Sequence, residues 1–283
     1  VRFVDSDIPG ISTDVPASAR LYGWTLGGKD NYEVDRRFAL ASLPAFPEIV
    51  DIARANRLFL YRAVRYLAQE AGIRQFIDLG CGLPTDDNVH QVAQKFAPDA
   101  RTLYVDIDPI VLVHARALLA DGGSTAVITA DMADTEAILA HEETERLIDF
   151  NEPLAVLYLS VGHHLMDDAE ARRIVHSITD RAVPGSHLVF TQITCSDPER
   201  RAEMDARANG AGMPWRTRSR EEVDALLEGL DPVEPGLTDI SAWRPDPDQP
   251  PLAPVPVELE GFVGATKFRS DLCEYGGVLI KRS

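Results

Sequence analysis

A single stretch, residues 76 to 108, constrains this chain more than any other. Phe76, Ile77 and Leu79 form a short apolar run, and Gly80 and Gly82 follow it at once. A helical pattern then covers 86–97. A second apolar run, 102–105, ends in Asp106. Strand, glycine turn, helix, strand and acid make half of a nucleotide-binding α/β unit. The glycines lack a Cβ, so the backbone can turn sharply and lie close to a ligand. The acid at the tip of the second strand is placed to accept hydrogen bonds from ribose hydroxyls.

Two details bear on which nucleoside fits. The dinucleotide fingerprint asks for a third glycine, and Thr85 stands in that place. The pattern here is Asp78-x-Gly80-x-Gly82-x-Pro84. Asp86 and Asp87 also fall in the expected first turn of the next helix. A pyrophosphate is drawn to a helix N-terminus by free N–H groups and the positive dipole end. Two carboxylates there would repel it, so a nucleoside without phosphates fits better.

The motif resembles the cofactor motif of class I S-adenosylmethionine-dependent methyltransferases. The whole chain is also similar to a mainly actinobacterial methyltransferase family of unknown substrate. The matching phrases are 18–22 (SARLY), 26–31 (LGGKDN), 54–57 (RANR), 71–75 (AGIRQ), 82–85 (GLPT), 104–109 (YVDIDP) and 275–278 (YGGV). The resemblance implies a Rossmann-like α/β fold, a seven-stranded mostly parallel sheet with helices on both faces and an N-terminal helical cap. It implies S-adenosyl-L-methionine as cofactor. Gly80 and Gly82 would pass under its methionine part, with Asp78 near the amine. Asp106 would hold the ribose, with Ile107 beside it. Asp131 would meet the adenine amino group, with Met132 flanking the ring. Ser160, after the fourth strand, completes that set.

Order along the chain supports the same class. Pro16 can open a helix that stops at Gly27-Gly28, and Asp30 can cap the next, from about Tyr32 to Leu43. A longer helix follows over 49–71, with Leu60, Val64, Leu67 and Ala71 at helical spacing. Strands are expected over 75–79, 102–105, 125–129, 153–159 and 187–193, separated by helices, which argues a parallel sheet covered on both faces. Asp108 would cap a helix that Pro109 opens. Helices are expected over 198–211 and 219–229, a strand within 230–240, and a last strand over 276–281. The proline-rich stretch near 244–257 should be an extended loop, and its length suggests a flap or an interface arm. Residues 1–72 are thus read as a helical cap or lid, and 73–283 as the methyltransferase domain.

In the resembling fold such cap helices cover the cofactor and shape the acceptor pocket. The polar candidates there are Tyr22, Lys29, Asn31, Tyr32 and Arg57, with Arg20 as a further one; surface decoration and helix capping is the plainer account of each. His163 and His164 follow the fourth strand at the sheet's carboxyl edge, where ligands bind in open α/β sheets. Many enzymes of the resembling class carry a similar His-His-Leu phrase. An unperturbed imidazole would suit a general base at neutral pH, and both histidines are catalytic candidates.

A net charge of −17 disfavours a nucleic acid backbone or an anionic membrane surface as partner. Cys81, Cys195 and Cys273 show neither metal spacing nor a disulfide framework. No signal segment or membrane-spanning run is evident, and a cytoplasmic location is expected. The acceptor is expected to be a small molecule, with a carboxylate worth testing. Two alternatives stand beside this reading: a non-catalytic S-adenosylmethionine sensor or scaffold, and an NAD-dependent oxidoreductase, against which the missing third glycine weighs.

Overall fold

The middle of the sheet, 75–79, 155–159 and 187–195, is built from runs in which every residue is buried, because both of its faces are covered. A computed structural model describes residues 13–84, 87–108, 110–111 and 123–282. Strands β1 (Gln75–Leu79), β2 (Arg101–Asp106), β3 (Thr125–Thr129), β4 (Ala155–Leu159) and β5 (His187–Cys195) pair in parallel. β8 (Leu272–Ile280) adds antiparallel to β5. With β6 (Asp231–Pro232) and β7 (Thr238–Asp239), the strand order is β3-β2-β1-β4-β5-β8-β6, and β7 also pairs with β8. Gly276 lets β8 approach: a Cβ there would lie 1.9 Å from the Phe190 carbonyl oxygen.

Side chains alternate between faces along each strand. Ile77, Leu79, Val156 and Tyr158 enter one core with Ile174 and Ile178. Phe76, Ala155 and Leu157 enter another with Phe59, Val64 and Trp243. Helices α5 (Thr135–Leu139), α6 (Glu142–Leu147), α7 (Asp168–Arg181) and α9 (Arg220–Leu227) serve the first face. α3 (Ile49–Gln69) and α4 (Val89–Phe96) serve the second. α8 (Pro198–Gly210) follows β5. Strand order reverses between β1 and β4, so a crevice opens at their carboxyl ends.

The Rossmann-like fold stands as expected. The sheet carries eight strands among the described residues rather than seven, because the strand expected within 230–240 is split into β6 (Asp231–Pro232) and β7 (Thr238–Asp239). The Glu234–Pro235 bond between them is cis.

Two local expectations need correction. α4 starts at Val89 with Asn88 as its N-cap, so Asp87 precedes the helix instead of sitting in its first turn. Asp87 has φ of 60° and pairs with Lys95; Asp86 and Thr85 lie outside the described residues. The N-cap of α2 (Glu33–Ser42) is Tyr32, not Asp30, and the Asp35 carboxylate accepts the Tyr32 N–H at 2.8 Å. Asp108 does accept the Ile110 N–H at 2.9 Å, as a cap should, although Pro109 and most of the helix expected after it lie outside the described residues.

The proline-rich loop is not a free flap. Its Asp246 pairs with Arg65, Gln249 donates to the Leu58 carbonyl at 2.7 Å, and the Ala253 carbonyl accepts from Arg54 at 2.9 Å. These bonds strap the loop along α3. No helix among the described residues is long and apolar enough to cross a membrane.

Candidate functional site

The crevice at the β1–β4 switch point opens into a cavity of about 710 Å³. That lies within the range of roughly 300–1,000 Å³ for small-ligand sites. One end is lined by Asp78, Gly80, Gly82, Asp106, Ile107, Asp131, Met132 and Ser160. Each of these residues was expected there from the sequence. They come from the carboxyl ends of β1, β2, β3 and β4, which parallel pairing aligns at one edge.

The turn after β1 is held by backbone bonds: Gly80 N–H donates to the Val105 carbonyl at 2.8 Å. Gly80 has φ of 68°, and a Cβ there would meet Val161 Cγ1 at 2.7 Å. Gly82 has φ of 66°, and its N–H donates to Asp106 Oδ2 at 2.8 Å. Asp106 Oδ1 accepts from Asp108 N–H at 2.9 Å. The acid therefore faces the glycine turn with its carboxylate pinned on both oxygens. Burial raises its pKa, and those backbone donors pull it back down. Burial also raises Asp78, to about 7, against the lowering effect of nearby Arg57. Asp131 bonds Ala133 N–H at 2.9 Å, while the cap of α5 is Asp134. Ile107 is 65% exposed although apolar.

The cap helices form the opposite wall. α1 (Ser18–Thr25) supplies Tyr22 and Thr25, and α2 supplies Phe38 and Ser42. α3 supplies Ile49, Ile52, Ala53, Asn56, Arg57 and Leu60, a stripe at helical spacing. Tyr22 and Arg57 thus line the cavity. Lys29, Asn31 and Tyr32 do not line the cavity. Lys29 is exposed. Asn31 accepts from Arg36 at 2.7 Å and donates to the Gly28 carbonyl at 3.1 Å. Tyr32 lies under the Arg20 guanidinium, 5.0 Å from it. The glycine turn holds its own backbone together, which is why these side chains turn away from the cavity.

A family model described as S-adenosyl methyltransferase matches residues 5–282. The chain belongs to that family. It is 37% identical to a protein from Thermobifida fusca YX whose structure was solved as a candidate methyltransferase, covering 99% of this chain and 100% of that one with a TM-score of 0.82. It is 34% identical to a DUF574 family protein from Streptomyces avermitilis MA-4680, covering 95% and 98% with a TM-score of 0.82. No curated protein matches the sequence. The enzyme is an S-adenosylmethionine-dependent methyltransferase, and the glycine cradle, too tight at Gly80 for a Cβ, fits that cofactor.

Beside the cavity of this methyltransferase, a chain of hydrogen bonds runs through residues that sequence reasoning missed. Tyr22 Oη is 3.0 Å from Asn56 Nδ2, and Asn56 Oδ1 accepts from Thr191 Oγ1 at 2.9 Å. Thr191 Oγ1 accepts the Ser160 N–H at 2.7 Å. Ser160, at φ of 57°, donates its hydroxyl to Glu274 at 3.3 Å. The chain of bonds ties the cap to the end of β4 and to the interiors of β5 and β8. Only Asn56 carried a signal, inside the matching 54–57 phrase; Thr191 and Glu274 sit mid-strand and join it through sheet pairing alone.

Glu274 is 1% exposed, and burial raises its carboxyl to about 8, with its polar contacts to Thr191 and Ser160 opposing. A raised carboxyl contributes stability below its unfolded value, near 4.5, that is lost as pH rises through about 8. Glu274→Gln is accordingly expected to be more stable than wild type at pH 9, on the order of 1–3 kcal/mol, with the gap closing toward pH 5. Urea unfolding at both pH values measures it. A gap that widens toward pH 5 would contradict the assignment.

The two histidines differ. His163 is 1% exposed, stacks on Trp215 at 3.7 Å and has both ring nitrogens without a hydrogen-bond partner. Burial lowers its pKa well below the usual value, with His164 and Arg218 adding to the effect. His164 Nδ1 lies 2.8 Å from the Pro214 carbonyl, and burial lowers its pKa too, against that bond. Both line the cavity.

Proposed function

We propose that this methyltransferase transfers the methyl group to a small-molecule acceptor held in the same cavity as the cofactor. The supporting observation is that one cavity has two chemically different ends. The first carries the acids and glycines described above. The second is apolar, walled by Phe46, Ile52, Ile193, Met204, Met213 and Trp215. A protein that only sensed the cofactor would have no use for the second end.

In this reading Asp106 holds the ribose hydroxyls, and Ile107 and Met132 flank the adenine ring with Asp131 at its edge. Asp78 and Arg57 face the amino-acid tail, the first toward the amine and the second toward the carboxylate. When bound, S-adenosylmethionine supplies an activated methyl on a sulfonium. The protein's part is chiefly to position the acceptor and exclude water. The helices α1 to α3 act as a lid, since Tyr22, Asn56 and Arg57 line the same cavity from the cap side.

Calorimetry with S-adenosylmethionine, S-adenosylhomocysteine and NAD tests the cofactor end. The first two are expected to bind and NAD is not. Hydrogen exchange tests the lid: amides in 17–25 should slow when S-adenosylhomocysteine is added. Unchanged exchange there would make the helices a fixed wall and remove the lid from this reading.

A further inference from the structure

The apolar end of the cavity carries little that would recognise a charged acceptor. Arg207 lines it, but its guanidinium donates to the Ala41 carbonyl and to Glu203, each at 3.0 Å, and lies over Phe46. Asp167 and Glu170 line the cavity as well, and two carboxylates repel an anion. Methionines 204 and 213 give adaptable apolar surface. Trp215 gives a flat one, its indole N–H already donated to Thr217 at 3.0 Å. A carboxylate or phosphate is poorly matched here, and an uncharged ring is well matched.

One polar atom in this half is set up to take a proton. A carbonyl oxygen can only accept, so His164 Nδ1 carries the hydrogen of its 2.8 Å contact with Pro214. In the neutral ring Nε2 is then the free acceptor. Trp215 stands edge-on to His164, with centroids 5.5 Å apart, and so fixes the ring from the side. His163 has no such orienting bond and serves as the plate behind Trp215.

We propose that the acceptor is an uncharged phenol, bound by its rings against Trp215, Met204 and Met213, and that His164 Nε2 removes its hydroxyl proton. This rests on the methyltransferase reading of the cavity. The proton moves from the aryl hydroxyl to Nε2, and the O–H electron pair stays on oxygen. That oxygen bonds the donor's methyl carbon. The methyl–sulfur bond breaks with its pair left on sulfur, so the sulfonium becomes the neutral thioether of S-adenosylhomocysteine. The imidazolium returns its proton to water. A phenol ionises little at neutral pH, so a positioned base accelerates this step, typically by roughly 10²–10⁴.

The test uses the full chain with 2-naphthol, 4-phenylphenol and 2-naphthoate as probes. Calorimetry on the S-adenosylhomocysteine complex should show at least one phenol binding, and at least about tenfold tighter than naphthoate. With S-adenosylmethionine the bound phenol should yield its methyl ether. His164→Asn keeps a donor for the Pro214 carbonyl but has no basic nitrogen. It should bind the phenol within about threefold of wild type and methylate it about a hundredfold more slowly, with a rate that climbs over pH 7–9 where wild type is flat. His163→Phe keeps the stack on Trp215 and should keep the wild-type pH profile. S-adenosylhomocysteine affinity reports folding of each variant. Tighter binding of naphthoate, or of neither phenol, overturns the acceptor class. A wild-type rate in His164→Asn, or the climbing profile appearing in His163→Phe instead, overturns the base. Failure of the wild-type protein to bind S-adenosylhomocysteine would instead strike the cavity reading on which this rests.

Discussion

Replacing Asp106 by alanine should weaken S-adenosylhomocysteine binding by about tenfold to a hundredfold. A hydrogen bond to a charged group contributes about 1.5–3 kcal/mol, and 1.4 kcal/mol is a factor of ten. The structure adds a second reason. Asp106 accepts the Gly82 and Asp108 N–H groups, so its loss also frees the glycine turn that the cofactor must lie against. Asp108→Ala is the control. The Asp108 carboxylate accepts the Ile110 N–H at 2.9 Å, and its removal should cost about 1 kcal/mol of stability with little change in affinity. Calorimetry and urea unfolding separate the two effects. Should the variants exchange phenotypes, the ribose acid would be Asp108.

Arg20→Ala should destabilise the protein by about 3–5 kcal/mol. Asp35 is fully buried and Arg20 is 3% exposed, joined at 2.7 Å. Asp35 also accepts the Ala17 and Tyr32 N–H groups at 2.9 and 2.8 Å. Removing the guanidinium leaves a buried carboxylate with backbone donors alone. The pair joins α1 to α2, so the loss should fall on the cap: early urea exposure of Trp24, with the sheet melting later. Arg20→Leu with Asp35→Leu should be no worse than Arg20→Ala, because the double change removes the charge that drives the damage. A double variant far less stable than the single one would show that the backbone bonds of Asp35, not its pairing, hold the cap. This is a different job from the one the sequence offered for Arg20. It was a polar pocket candidate, and the fold instead spends it on a buried ion pair.

The sequence by itself determined the elements whose cause is local. The glycine turn, Asp106 at a strand end, the cap at Asp108, and the alternation of strands and helices all follow from short-range sterics and burial. Residues at the ends of parallel strands were legible as a site because pairing brings such ends to one edge whatever the loops do. Only the tertiary structure decided the rest. Lys29, Asn31 and Tyr32 could have faced in or out; the turn's bonds, Gly28 N–H to the Gly23 carbonyl at 2.9 Å among them, turned them away. The strand within 230–240 was ambiguous because two-residue strands carry no period of their own and exist only by pairing with β8. Trp215, Met204 and Met213 follow the parallel core in sequence and carry no motif, yet they build the apolar end of the cavity. Thr191 and Glu274 are 83 residues apart in number but occupy neighbouring strands, where Thr191 faces Gly276 and Ile193 faces Glu274. Adjacency of that kind is created by sheet register, which depends on contacts between distant segments and leaves no mark in either one alone.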